Sequence, residues 1–137
     1  MTMNVDDAMS AKTSLEAMMP YRILLQSALD LSGGTHTFED VVEAVDEGLM
    51  QFWPASESCL VTQLIVYPQV RAIHIFLAAG NLEQIKDFDE SLDDFARQLD
   101  ADFITLSGRK GWQRTLKDIG YQTSHVTMYK EVPHVDG

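Results

Sequence analysis

The sequence predicts a mixed α+β domain of three layers, in which helices cover a mixed sheet in the order ααβββαβαβ. Three observations predict this class. Two amphipathic helical patterns precede any strand pattern, three strand patterns then follow with only turns between them, and the chain ends on a strand, a helix and a last strand. A strand–helix–strand unit after an antiparallel meander gives a sheet with both parallel and antiparallel pairs.

The chain has 137 residues, of which 45% are apolar, and this length is typical of one domain with one core. We expect a single domain over 14–132, a flexible arm at 1–13 and a flexible tail at 133–137. Cys59 is the one cysteine, which excludes an internal disulfide. Since Cys59 lies in an apolar strand pattern, we interpret it as a small buried hydrophobe.

Two helices are predicted at the start of the domain. The first begins at Ser14 or Pro20 and ends before Gly33–Gly34. Its apolar stripe consists of Ile23, Leu24, Ala28 and Leu31. In the second, Thr37 and Asp40 form a variant of the capping box, followed by the apolar stripe Phe38, Val41, Val42 and Val45.

Strand patterns follow at Met50–Trp53, Cys59–Tyr67 and Ala72–Leu77, each closed by turn residues, which predicts an antiparallel meander. A helix of about 18 residues follows, because apolar residues recur at helical spacing from Leu82 to Leu99. Its other face is strongly acidic. The last predicted elements are the strand Phe103–Leu106, the helix Lys110–Ile119 and the strand Tyr121–Glu131.

From Asp102 to Val132 the chain has a short apolar strand, a Gly-Arg turn, a helix of about three turns and a Gly-Tyr entry into an alternating segment. This ending resembles that of N-acyltransferases of the GNAT type. The order of elements over roughly residues 20–132 resembles that fold without its first strand. The segments S-G-G-T-H-T-F-E-D-V, Q-F-W-P and L-A-A-G-N-L, with G-R-K-G-W-Q-R-T-L-K-D-I-G-Y, resemble small GNAT-like proteins of tailed phages and prophages, some of which are internal virion proteins.

In GNAT enzymes a loop of pattern Arg/Gln-x-x-Gly-x-Gly/Ala after the fourth strand holds the CoA pyrophosphate on its backbone N–H groups. The matching stretch here runs from Leu77 to Leu82. The resemblance therefore implies that Leu77, Ala79, Gly80 and Asn81 bind the cofactor. However, Leu77 stands where the family has Arg or Gln, and Leu82 stands where it has a second small residue. Gly80 is better explained as a turn residue.

The helix before Gly120 and Tyr121 departs from the family pattern in the same way. The family pattern is Asn-x-x-Ala-x-x-x-Tyr-x-x-x-Gly-Phe. It aligns Arg109 with the Asn that contacts the cofactor, Trp112 with the small Ala, and Leu116 with the Tyr that protonates the leaving thiolate. Leu116 has no proton to donate. Trp112 either fills the groove of the pantetheine arm or packs elsewhere, and Arg109 remains a candidate phosphate ligand.

Candidate catalytic residues are few. An acetyltransferase needs a base to deprotonate its amine substrate, and His74 on the third strand is one candidate, although a hydrogen-bonded core histidine is the alternative. Tyr121 or Tyr129 would supply the acid that Leu116 lacks. We predict no metal site, because the histidines and Cys59 have no ligand spacing and the acidic segment D-F-D-E-S-L-D-D lacks the glycine of a calcium loop.

The net charge of −11 disfavours nucleic acids and anionic membranes as direct partners. Without an apolar run of about 20 residues, and with Asp6 and Asp7 where a signal peptide is basic, the chain is expected in the cytoplasm, or in a virion if a phage encodes it. Three interpretations stay open. The favoured one is a virion or virion-assembly component with protein partners, degenerate catalytic motifs and no cofactor. The alternatives are an active N-acetyltransferase that uses acetyl-CoA on a cationic amine, and an α+β binding domain unrelated to this family. The oligomeric state stays open as well.

Overall fold

The computed structural model describes residues 14–107 and 110–134. The arm predicted at 1–13, Arg109, and residues 135–137 of the predicted tail lie outside the described residues. The chain forms two compact units, Met1–Ser107 and Gly108–Gly137, and each is described by itself. The assignment of 14–132 to one domain stays a prediction.

The first predicted helix is present but is interrupted near its start. Residues 14–18 are helical (α1), a 3-10 turn spans Met19–Tyr21, and helix α2 spans Arg22–Asp30. Pro20 lies in the 3-10 turn, at the start of a helical segment where its missing N–H leaves no hydrogen bond unmade. The buried face of α2 consists of Leu25 and Leu29. Ile23 and Leu31, which the helical spacing assigns to the apolar stripe, are 82% and 64% exposed.

Helix α3 spans Phe38–Asp46 and confirms the predicted capping box. The Asp40 N–H donates to Thr37 Oγ1 at 3.1 Å, and the Thr37 N–H donates to Asp40 Oδ2 at 2.9 Å. Hydrogen bonding from the Thr37 backbone N–H, and then from the Thr37 side chain, lowers the pKa of the Asp40 carboxyl group, because it stabilises the charged form. The predicted stripe is also confirmed, since Phe38, Val41 and Val42 are buried.

The sheet has four strands in the order β1-β2-β3-β4. Strands β1, β2 and β3 are an antiparallel meander, and β4 pairs in parallel with β3. The strand bounds are Gln51–Pro54, Ser58–Val66, Arg71–Gly80 and Phe103–Leu106. The first four predicted strands agree with these bounds within one residue at each end, except that β3 runs three residues beyond the predicted end at Leu77.

Both faces of the sheet are covered by helices. On one face, Phe52 meets Tyr21 edge-on at 5.4 Å between ring centroids, and Cys59 and Val61 join the core formed with α2 and α3. The next residue, Trp53, points to the opposite face, where its ring lies 5.3 Å from that of Phe95. Alternation along the strands therefore divides the buried residues between one face covered by α2 and α3 and another covered by the two helices that follow β3.

The long acidic helix is broken, which corrects the prediction of one continuous helix from Leu82 to Leu99. Helix α4 spans Leu82–Asp87, helix α5 spans Asp89–Gln98, and Phe88 lies between them. The Phe88 N–H donates to the Ile85 carbonyl at 3.2 Å, a tighter i to i−3 bond than that of an α-helix. The break gives α5 its own N-terminus, where the carboxylates of Asp89 and Glu90 are favoured by the helix dipole.

In the second unit, helix α6 spans Lys110–Leu116 and continues as a 3-10 turn over Lys117–Ile119. Gly120 ends it with φ +97°, which favours glycine. The last predicted strand, Tyr121–Glu131, is wrong for this structure, because residues 121–134 have no regular secondary structure. Alternating apolar residues permit a strand, but a partner strand has to supply its hydrogen bonds, and that pairing is not encoded in the local pattern.

Candidate functional site

The turn from β3 into α4 is the segment that aligns with the phosphate loop of GNAT enzymes. Gly80 has φ +106°, and a Cβ added there would overlap the Glu57 carbonyl oxygen and lie 2.6 Å from Ser58 Cα. Such contacts exclude a side chain. Gly80 is therefore required by the close approach of β3 to the start of β2, whatever the turn binds.

Asn81 caps the helix that follows. Its Oδ1 accepts hydrogen bonds from the Glu83 N–H at 2.9 Å and the Gln84 N–H at 3.4 Å. These amides belong to the first turn of α4, where a phosphate-binding loop would present free N–H groups to the anion. The Glu83 carboxyl group adds a negative charge in the same turn. The residues of this turn therefore do not fit a CoA pyrophosphate.

Gln84 connects the β1–β2 turn to α4 through side-chain hydrogen bonds. Its Oε1 accepts from the Glu57 N–H at 2.9 Å and from the Ser58 hydroxyl at 2.7 Å, and its Nε2 donates to the Ser56 hydroxyl at 2.8 Å. A shallow groove beside this turn is lined by Ala55, Ser56, Gln84, Asp87, Phe88 and Ser91. With its side-chain amide satisfied by the turn, Gln84 has a structural role here.

Strands β3 and β4 are paired over only part of their length. The parallel pairing ends at Ile75 opposite Leu106, whereas β3 continues to Gly80. A shift in the β2–β3 register leaves Phe76 unmatched between Ile75 and Leu77. This bulge puts Leu77 and His74 on the same face although they are three residues apart. The side chains of Leu77 and Ala79 belong to the α2–α3 core, so only their backbone groups could contact a cofactor.

His74 lies in a row of polar side chains across three strands. Gln63 and Thr105 are its partners in register on β2 and β4. His74 Nδ1 lies 2.9 Å from Thr105 Oγ1. Burial lowers the pKa of the half-buried imidazole, which favours the neutral ring. A neutral, oriented histidine can accept a proton, but the same bond also suits a structural histidine, so both interpretations remain.

Two other sequence-based expectations concern Cys59 and metals. Cys59 is buried and free of disulfides. Burial raises the pKa of its thiol to about 12, which leaves little thiolate for nucleophilic chemistry at neutral pH. Within 14–107 and 110–134, no group of three or more His, Cys, Asp or Glu side chains is placed to hold a metal ion.

The second unit contains the remaining candidate residues. Trp112 is half-buried on α6, and Leu116 is buried, with 5% of its surface exposed. Tyr121 is half-buried, and its backbone N–H donates to the Leu116 carbonyl at 3.2 Å. Tyr129 is 89% exposed. The proposed roles of the two tyrosines as proton donors, and the role of Arg109 in binding phosphate, stay predictions.

Sequence reasoning did not identify Thr105 or Gln84 as contributors to this region. Thr105 could not be matched to His74 because the register of a parallel pair follows from tertiary packing. Gln84 resembles an ordinary surface residue of an amphipathic helix, and nothing in the pattern indicates its contacts with the β1–β2 turn. The N-cap role of Asn81 did carry a signal, since Asn between a strand and a helical pattern favours that position.

Among the described residues, no helix combines the length and the apolar character needed to cross a membrane. No family model matches the sequence, and no curated protein matches it. Solved structures do match the fold. A probable acetyltransferase has a TM-score of 0.59 at 11% identity, over 90% of this chain and 93% of its own.

Two further structures agree with that match. A tetramutant of the BH1408 protein from Bacillus halodurans has a TM-score of 0.58 at 11% identity, over 90% of this chain and 96% of its own. A point mutant of TTHA1254 from Thermus thermophilus has a TM-score of 0.56 at 12% identity, over 78% and 88%. These likenesses confirm the mixed α+β class and its GNAT-like sheet. At such identities they show the fold alone.

Proposed function

We propose that this protein is a GNAT-like module that has lost acyl-CoA chemistry and serves as a protein-binding component of an assembly, such as a phage virion or its assembly intermediate. The observation that carries this proposal is the cap of α4. Asn81 Oδ1 accepts hydrogen bonds from the Glu83 and Gln84 N–H groups. An anion at that helix end would have to displace the cap and approach the Glu83 carboxylate.

Other residues support the same proposal. The Gly80 φ angle and close contacts are explained by the approach of the chain to Ser58. Leu77 is buried in the core, where the family has a polar residue. Leu116, which aligns with the tyrosine that protonates the leaving thiolate in GNAT enzymes, is an aliphatic side chain. A loss at several independent positions fits a fold that is kept for binding.

The acidic surface of α4 and α5 indicates the kind of partner. Of the basic side chains on these helices, Arg97 forms an ion pair with Asp94 at 2.6 Å. The acidic side chains of the two helices are Glu83, Asp87, Asp89, Glu90, Asp93 and Asp94. A basic protein surface would complement this charge and associate faster because of it.

Calorimetric titration with acetyl-CoA tests the loss of cofactor binding. We expect no heat of binding, and no thermal shift, at millimolar acetyl-CoA. The sample is checked by circular dichroism before and after titration, so that an unfolded protein is not mistaken for a folded one that does not bind acetyl-CoA. Saturable heat with a matching rise in Tm would refute the loss of cofactor binding.

The assembly role has its own test if the chain comes from a phage genome. Purified virions should then contain the protein, and Lys substitutions at Asp89, Glu90, Asp93 and Asp94 should prevent its incorporation. The control places Lys at three carboxylates on and just after another helix, α3, namely Glu43, Asp46 and Glu47, and should be incorporated normally. Equal incorporation of both variants would exclude α5 as the contact surface, and absence of the wild-type protein from virions would exclude the assembly role.

A second candidate is an active N-acetyltransferase acting on a cationic amine. The observation that favours it is the end of β3–β4 pairing at Ile75 and Leu106, beside the neutral His74. In GNAT enzymes the strands part where the pantetheine arm lies. This candidate predicts acetylation of a polyamine or a lysine peptide, with a loss of turnover in His74→Gln. A wild-type protein without transfer activity would exclude it.

A further inference from the structure

The shallow groove beside the β1–β2 turn lies within the first unit. Its volume is about 390 Å³, near the lower end of the range of about 300–1,000 Å³ for small-molecule sites, which is enough for one long side chain. The turn, α4, the Phe88 break and α5 supply its lining residues, namely Ala55, Ser56, Gln84, Asp87, Phe88 and Ser91. The groove therefore lies where a turn and two helices meet.

The wall formed by the β1–β2 turn is fixed by hydrogen bonds from two helical elements. The Tyr21 hydroxyl donates to the Ala55 carbonyl at 2.6 Å. From α4, Gln84 Nε2 donates to Ser56 Oγ at 2.8 Å, and Gln84 Oε1 accepts from the Glu57 N–H at 2.9 Å. The position of Ser56 is therefore set before a ligand arrives, which lowers the entropy lost on binding.

A second wall follows the break between α4 and α5. Asp87 is the last residue of α4, Phe88 lies in the break, and Ser91 is in the first turn of α5. The half-buried Phe88 ring lies edge-on to that of Trp53, with 6.4 Å between the ring centroids. Asp87 and Ser91 are exposed. This wall therefore presents an aromatic ring together with a carboxylate and a hydroxyl group.

The polar groups of the groove are acceptors with capacity left, and none of the six lining side chains is basic. Asp87 forms no ion pair with a described residue, and the Ser91 hydroxyl has no hydrogen-bond partner among those residues. Ser56 Oγ accepts one bond from Gln84 and keeps a second lone pair. A carboxylate, two hydroxyl oxygens and an aromatic ring together favour a cation.

We propose that this groove receives a lysine side chain of the basic partner. The inference rests on the proposed protein-binding function and deepens it, because it names the group of the partner and its place on this chain. The ammonium donates to Asp87, Ser56 and Ser91, and the alkyl stem packs on Phe88. Lysine suits acceptors on separate elements because its ammonium has three rotatable donors, whereas the planar fork of arginine matches two oxygens of one group.

The charge around the groove favours the same ligand. Glu83 and Glu90 are exposed carboxylates on α4 and α5, and the whole chain carries a net charge of −11. Long-range attraction therefore brings a basic surface toward these helices, and the groove then fixes the position of one lysine on them.

An NMR titration of the full chain with the capped peptide acetyl-Gly-Gly-Lys-Gly-Gly-amide tests the site. A single charge per peptide keeps its general attraction to the acidic helices weak. The backbone amide signals of Ser56, Phe88 and Ser91 should shift saturably, with Overhauser contacts between the lysine ε-CH2 protons and the Phe88 ring. The same peptide with arginine should bind at least about threefold more weakly, and the peptide with Nε-acetyllysine, which has no charge, should not bind.

Three substitutions separate the groove from the general acidity of α4 and α5. Asp87→Asn should raise the peptide Kd about fivefold, because it removes the charge that the ammonium contacts. Ser91→Ala should raise it about twofold. The control Glu90→Gln removes one exposed carboxylate outside the groove and should raise the Kd less than about 1.5-fold. Each variant is checked for an unchanged thermal transition, so that misfolding is not mistaken for a lost site.

The outcomes distinguish the lysine site from the function on which it rests. Shifts spread over α5 without saturation at the groove would overturn the site and leave the protein-binding function standing. An equal effect of Asp87→Asn and Glu90→Gln, or equal affinity for the arginine peptide, would overturn it as well. Saturable heat with acetyl-CoA, together with intact binding of the lysine peptide, would instead refute the proposed function and leave the site.

Discussion

At the scale of single residues, the β3–α4 turn depends on one glycine. Gly80→Ala should lower the free energy of unfolding by more than about 3 kcal/mol, because φ +106° is strained for alanine and the new Cβ would overlap Glu57 and Ser58 backbone atoms. Gly48→Ala is the control. Gly48 has φ +76° with no atom within 4 Å of the added Cβ, so about 1–2 kcal/mol is expected. Urea unfolding measures both, and equal losses would contradict the steric argument.

Cys59 should make the protein less stable at alkaline pH. Its buried thiol has a pKa of about 12, against 9.0 in the unfolded chain. Between these values the unfolded state releases a proton that the folded state keeps, so stability falls as pH rises, by at most about 1.4 kcal/mol per pH unit. Below pH 9.0 the thiol keeps its proton in both the folded and the unfolded state, so the contribution of its protonated form to stability is fully present.

The variant Cys59→Ala separates this effect from the titration of other groups. Its stability should fall less steeply above about pH 9 than that of the wild type, in urea unfolding series across the alkaline range. The thiol should also resist alkylation until the protein unfolds. Parallel pH profiles of the two proteins would contradict the argument.

At the scale of elements, helix α5 begins with two carboxyl groups, and the first of them is affected by a charge one turn later. Partial burial, and then the charge of Asp93, raise the pKa of Asp89. Asp93→Asn should lower the Asp89 pKa part of the way toward its ordinary value, because the repulsion disappears and the burial remains. Asp94→Asn is the control, since Asp94 is paired with Arg97. NMR titration of the side-chain carboxyl carbons measures both, and an equal effect of the two variants would contradict this account.

The elements that could be predicted from the sequence are those with local signals. The meander was predicted within one residue at most ends because its strands are short, β-branched and closed by Pro or Gly turns. The α3 cap was predictable because Thr37 and Asp40 interact locally. The break at Phe88 and the missing strand after Gly120 were not. Both depend on which partner a segment meets in space, and the local pattern is the same with or without that partner.

At the scale of the whole molecule, the candidate site could be predicted only in part. The sequence located the β3–α4 turn and His74, because a strand end with Gly followed by a helical pattern is a local signal. It could not show that Asn81 occupies the amides of the turn or that Thr105 holds His74. These contacts depend on the register of β4 beside β3 and on how α4 enters its first turn. The departures from GNAT motifs become interpretable only once those positions are known.

The net charge of the entire chain affects its thermal stability. With a net charge of −11, and with Arg22–Glu39 and Arg97–Asp94 as the ion pairs of the described residues, both exposed, repulsion exceeds attraction in the folded state. NaCl should therefore raise the Tm up to about 0.5 M, by about 4 °C for each 1 kcal/mol gained. A variant with Asp87→Asn and Asp93→Asn, two carboxylates outside the first turns of α4 and α5, should start from a higher Tm and respond less to salt. Calorimetric scans in NaCl and KCl decide this, and a Tm that falls with salt, or an equal response in the variant, would show that α4 and α5 do not carry the repulsion.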